Sequence, residues 1–191
     1  MPSSMLHLYT ANRYNLQSST LFYIGNIAPD CVYERTAKDR THLRDRENRL
    51  NALHELAITL DMQNDFHVGV LLHLYTDYKW DTEITPEYIC NYGGENWFLP
   101  YRNEITLSGS NLYHHTPWSA QIWNDMAEYS EKGYQSISDF PCEDIHAFIL
   151  RNRTWHSENN LEASKAFTPE LTKNFAMETA NSFRVWVQKY L

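Results

Sequence analysis

The sequence contains only three cysteines, Cys31, Cys90 and Cys142, among its 191 residues. They are scattered, odd in number, and form no CxxC pair. This excludes a disulfide scaffold or a thiolate zinc knuckle and leaves reduced thiols as the expectation. Basic residues are in the minority, 16 against 24 acidic, for a net charge of −8. An acidic surface disfavours general binding to nucleic acid or anionic headgroups, because both are polyanions. Bound divalent cations would offset part of that charge, so a phosphate-bearing substrate is not excluded. No apolar run reaches the roughly 20 residues of a membrane span, and "MPSSMLHLYTANRYN" lacks the basic-then-apolar order of a signal peptide. A cytoplasmic chain with no integral membrane segment is expected. Glycine is scarce, with six residues and one Gly-Gly pair, and alternating strand patterns are few. No internal repeat stands out.

What is present is globular and helical. Hydrophobic residues make up 42% and aromatics 14%, enough to bury a core in one domain over residues 1–191. "SSMLHLYTANRYN" opens on serine caps. "STLFYIGNIAPD" reads as an apolar helix that ends where Pro29 biases Ala28 away from helix. "RDRENRLNALHELAITLDMQ" carries Leu50, Leu53, Ala57 and Leu60 at helical spacing. "NDFHVGVLLHLYTDYKW" follows with Asn64 or Asp65 as its cap, and Asp81 falls past its end. "TPEYICNYGGENWFLPYRNE" predicts loops and short helices. "TPWSAQIWNDMAEYSEKG" predicts a helix from Pro117 to Gly133. "SDFPCEDIHAFILRNRTW" and "TPELTKNFAMETANSFRVWVQKYL" predict two more. The fold class is all-α, a single compact multi-helix domain.

His73 and Asp77 lie four apart on an apolar helix. That spacing stacks both side chains on one face, the arrangement of many helical metal sites. It also describes a surface pair or a satisfied core histidine. The preceding "GVLL" argues that the face is buried, and an unpaired buried carboxylate is costly. Asp30, His42 and His7 are each bland alone. Of His114 and His115 in "LYHHTPW", adjacent on a helix and pointing apart, at most one can join a cluster; His115 is the candidate. Lys38, Arg40 and Arg44 bracket His42 and can grip phosphate.

Together, "FYIGNIAPD", "KDRTH" and "GVLLHLYTDYKWD" resemble the zinc-dependent phospholipase C family, related in fold to single-strand-specific zinc nucleases. The resemblance covers about residues 5–85, and the rest only by being helical. It implies that Asp30, His42, His73 and Asp77 bind one zinc ion, that Asp77 bridges to a second, and that His7 helps hold the second. A water activated between the ions would attack phosphorus, with Asp30 and Asp77 as catalytic candidates. The family's further site uses an HxxxE pair, which is absent here, so two ions are expected rather than three. There is no His-Asp dipeptide, which argues against an HD-type phosphohydrolase. The expected function is a metal-dependent phosphoesterase acting on a phosphate-ester small molecule or a phospholipid headgroup. The alternative is a non-catalytic metal-binding or interaction protein on the same scaffold.

Overall fold

The computed structural model describes residues 1–129 and 145–191. It is all-helical, with no strand among the described residues. Among the described residues, ten α-helices follow in order: α1 (Ser4–Tyr14), α2 (Thr20–Ile27), α3 (Arg35–Thr41), α4 (Arg49–Thr59), α5 (Asp65–Lys79), α6 (Thr85–Tyr92), α7 (Phe98–His114), α8 (Ser119–Glu128), α9 (Ile145–Glu158) and α10 (Pro169–Val187). A 3-10 turn (Ala28–Cys31) follows α2, and a π turn (Trp80–Ile84) joins α5 to α6.

The helix starts follow local chemistry. Ser3, Ser19, Asn48, Asn64 and Thr168 each accept a backbone N–H of the first turn through their side chains. Such caps satisfy donors that the helix itself cannot. Pro169 opens α10, where its missing N–H costs nothing.

Helix α5 is the centre. Every residue from Val68 to Asp77 is buried, so it has no solvent face and must be packed on all sides. Helix α2 crosses it at two glycines. A Cβ on Gly25 would lie 2.1 Å from the Phe66 carbonyl oxygen, and one on Gly69 would lie 2.2 Å from the Phe22 carbonyl oxygen. The two backbones are therefore in direct contact, which only glycine permits. Helix α1 packs against α2, α5, α7 and α10, α4 covers another side of α5, and α8 pairs with α9.

Several elements depart from the sequence expectation. The α5 helix does not stop before Asp81. The π turn carries it into α6, with Trp80 fully buried and its Nε1–H donating to the Tyr101 hydroxyl at 2.7 Å. The stretch around Pro100 is no loop but the first turn of α7, where a proline at this depth loses no intrahelical bond. Helix α8 ends at Glu128 rather than Gly133; Gly133 and Cys142, with the expected start of the next helix at 138–144, lie outside the described residues. No helix among the described residues is long and apolar enough to cross a membrane.

Candidate metal centre

Five side chains meet beneath the α2–α5 crossing. His7 comes from α1, Asp30 from the 3-10 turn, His42 from the end of α3, and His73 and Asp77 from α5. His7, His42, His73 and Asp77 have no exposure and Asp30 is 8% exposed. The turn after α2 presents Asp30 directly after Pro29, which sits in its second position. His42 caps α3, and Leu43 behind it takes a left-handed φ of 56°. That reversal costs a non-glycine residue about 1 kcal/mol and sends the chain away while the His42 ring stays inside.

The histidines are oriented by carbonyls. His73 Nδ1 donates to the Asn26 carbonyl at 2.7 Å, and His42 Nδ1 donates to the Lys38 carbonyl at 2.8 Å. A carbonyl only accepts, so in the neutral rings each Nε2 carries a free lone pair. These two Nε2 atoms lie 3.3 Å apart. Two lone pairs this close repel unless a cation lies between them. Carbonyl-anchored imidazoles of this kind are the usual support of metal-ligating histidines.

Asp77 stands among them. Its Oδ1 faces His7 Nε2 at 3.4 Å, while its Oδ2 faces His42 Nε2 at 3.6 Å and His73 Nε2 at 3.8 Å. The His7 ring stacks on His73 with centroids 3.8 Å apart. Both ring nitrogens of His7 and both carboxylate oxygens of Asp77 are buried without a hydrogen-bond partner. Buried polar atoms are nearly always paired, so four orphans in one place require explanation. The donor atoms form two close groups, His7–Asp30–His73 and His42–His73–Asp77, each compact enough to hold a metal ion. Imidazole and carboxylate donors suit zinc, iron, manganese or nickel.

Outside the ring lie cations. Lys38 Nζ donates to Asp30 Oδ1 at 2.9 Å. Arg44 and Arg49 both bond Asp81 Oδ2, at 2.7 and 2.8 Å, and reach Asp77 Oδ2 only at 3.6 and 3.9 Å. Asp81 also accepts from the Met1 amine at 3.4 Å. It is thus an outer partner, turning two guanidiniums toward Asp77. Burial alone would raise the Asp30 carboxyl, but the Lys38 ammonium outweighs it and holds the group well below the usual range. Burial likewise opposes charge on Asp77, but the His7 imidazole facing its Oδ1 outweighs it and holds the group well below that range. Burial, and then His7, push His73 down, so the ring is neutral and able to ligate.

The structure brings together Asp30, His42, His73, Asp77 and His7. It does not bring His115. That residue is exposed at the end of α7, and its Nδ1 bonds the Asn111 carbonyl at 3.0 Å, so its expected role as a ligand is corrected to a helix-terminal contact. His114 bonds the Asn159 carbonyl instead. Of the expected phosphate-gripping residues, Lys38 and Arg44 reach the site and Arg40 is exposed. Sequence reasoning missed Arg49, which starts α4 with no local sign of its long-range partner, and Asn26, whose contribution is a backbone carbonyl. A scan against protein-family models, a search of curated proteins and a search of solved structures each find no match.

Proposed function

We propose that this chain is a metal-dependent phosphoric ester hydrolase built on a dinuclear, zinc-type centre. The observation that carries the reading is the set of four unpartnered, unexposed donor atoms on His7 and Asp77, surrounded by further imidazole and carboxylate donors. A cation is the simplest species that satisfies all of them at once. Asp30, His42, His73 and Asp77 would hold one ion, and His7 with Asp77 would help hold the second. The split of the two Asp77 oxygens between different histidines supports this bridging role. The likeness of "FYIGNIAPD", "KDRTH" and "GVLLHLYTDYKWD" to the phospholipase C family supports the same assignment.

When bound, such ions supply Lewis acidity that brings the pKa of a water from 15.7 to about 7 and offsets charge on phosphoryl oxygens. The chain's own residues do the remaining work. Asp30 is the one cluster carboxylate with any exposure, so it is placed to accept a proton from, or orient, an incoming water. Lys38 keeps that carboxylate ionised and sets its direction. Arg44 and Arg49 balance the negative charge of Asp77 and Asp81 from behind.

A second reading, a protein that holds metal without turnover, draws support from burial: only Asp30 of the five donors meets solvent. Turnover of generic phosphomonoesters and diesters separates the two. For the centre itself, gently purified protein should carry at least one transition-metal ion per chain. Asp77→Asn should lose more metal than His115→Ala. Equal loss in the two variants, or no metal in the parent by elemental analysis, refutes the assignment.

A further inference from the structure

Two clefts open beside the cluster. The larger, about 510 Å³, is lined by Asp30, Lys38, Arg102, Phe148, Arg151 and Trp155 among others. The smaller, about 360 Å³, shares Lys38 and Arg102 and adds Arg44 and Asp81. Four side-chain cations thus gather around two carboxylates in a chain whose net charge is −8. Lys38 and Arg44 are engaged with Asp30 and Asp81. Arg102 and Arg151 have no ion-pair partner among the described residues. Arg151 instead lies over the Tyr33 ring, 5.1 Å from its centroid. Two guanidiniums with no counter-ion among the described residues line one cleft, and an anion bound there would offset their charge. Apolar side chains from the same two helices, α7 and α9, line the cleft beside the arginines, with Ile105 and Phe148 buried and Trp155 half-buried. The volume falls in the ordinary range for small-ligand pockets, roughly 300–1,000 Å³.

We propose that the larger cleft binds a small phosphate monoester as its dianion, with the phosphate between Lys38, Arg102 and Arg151 and a compact apolar or planar body against Ile105, Phe148 and Trp155. The charge count selects the monoester. Asp30 compensates Lys38, and Asp81 compensates the Met1 amine that also lines the cleft, which leaves the two guanidiniums as positive charges for the ligand. A monoester dianion matches both, and a diester monoanion leaves one guanidinium unpaired. Guanidinium donors also suit a phosphate with three free oxygens, because their fork geometry binds two oxygens at a time. The proposal deepens the hydrolase reading by naming its substrate class, yet the binding contacts belong to side chains outside the metal cluster.

The test is calorimetric titration of the intact protein with phenyl phosphate, and with methyl phenyl phosphate as the diester. Phenyl phosphate should bind saturably and at least tenfold more tightly than the diester. Arg102→Gln and Arg151→Gln should each weaken it about tenfold. Both arginines are exposed, so these variants keep the fold, which an unchanged melting temperature checks. Arg40→Gln, an exposed arginine that does not line the cleft, is the control and should bind as the parent does. Absence of saturable binding, equal affinity for the diester, or binding indifferent to both substitutions overturns the proposal. Elemental analysis on the same samples keeps the two readings apart. Arginine-dependent binding by protein with no metal would leave the cleft assignment standing and remove the hydrolase reading; metal-loaded protein that ignores phenyl phosphate would do the reverse.

Discussion

Gly69→Ala tests whether the α2–α5 crossing sets the site. The added methyl would lie 2.2 Å from the Phe22 carbonyl oxygen and 2.8 Å from the Asn26 amide nitrogen. Ordinary contact begins near 3.4 Å. The obstacles are backbone atoms, with no rotamer to swing aside, so the helices must part by roughly 1 Å. Overpacking of this kind costs about 1–3 kcal/mol, and alanine's better helix propensity returns about 1 kcal/mol. Working from the upper end, because backbone meets backbone, the net loss is about 2 kcal/mol. For a chain of this size that is a fall in Tm of about 4–8 °C. The same displacement acts on the cluster. The Asn26 carbonyl that holds His73 Nδ1 at 2.7 Å belongs to the segment that is pushed away. Losing such a support typically lowers metal affinity by about 10–100-fold. The assay is a thermal melt of the parent and Gly69→Ala, with elemental analysis of both. Gly94→Ala is the control, since a Cβ there meets nothing within 4 Å. A Gly69→Ala protein that melts with the parent and retains its metal would refute the reasoning.

Two further outcomes follow from buried groups. His156 is 4% exposed, and burial, then the charge of His114, bring its pKa from 6.5 down to about 4. The folded ring stays neutral while the unfolded one protonates, so stability is full above pH 6.5 and falls as the pH drops toward 4, by up to about 3 kcal/mol. His156→Gln should flatten the pH dependence of the melting temperature in that window; an unchanged slope would contradict the assignment. Trp80 is fully buried, packs edge-on against Phe167 and Phe175 at 5.1 and 5.0 Å, and bonds the Tyr101 hydroxyl. Trp80→Phe should cost about 1–3 kcal/mol, from the lost indole hydrogen bond and a partial void, read as a lower denaturant midpoint at constant slope.

The parts of this structure that follow from short-range pattern are readable before any coordinates. His73 and Asp77 share a face because four residues make about one helical turn, and Asn64 caps α5 because its side chain reaches the nearby N–H of Phe66. The parts that depend on long-range geometry are not. Gly25 and Gly69 meet across 44 residues of chain, and nothing local to either marks the contact. Arg102 and Arg151 reach one cleft from two helices, α7 and α9, and appear in the sequence as ordinary surface charges. His115 misled for the opposite reason. Its neighbourhood in the sequence is rich in histidine, but the end of α7 leaves it in solvent. The α7 start was obscured by Pro100, a residue that signals a break in mid-helix and is harmless in a first turn.

The π turn at Trp80–Ile84 also bears on how this chain can change in length. A π turn accommodates one residue more than the α-helical pattern and leaves the helix before and after it in phase. Deleting one exposed position within it, such as Thr82, would remove the extra residue and keep Asp77 upstream and Tyr88 downstream facing inward, with Pro86 marking a kink rather than a straight helix. A deletion inside α5 would instead swing every later side chain by about 100° and carry Asp77 out of reach of its histidines. Within this helical rod, the π turn is where evolution could have gained or lost a residue without disturbing the cluster, and an alignment to a distant relative should place its single-residue gap there.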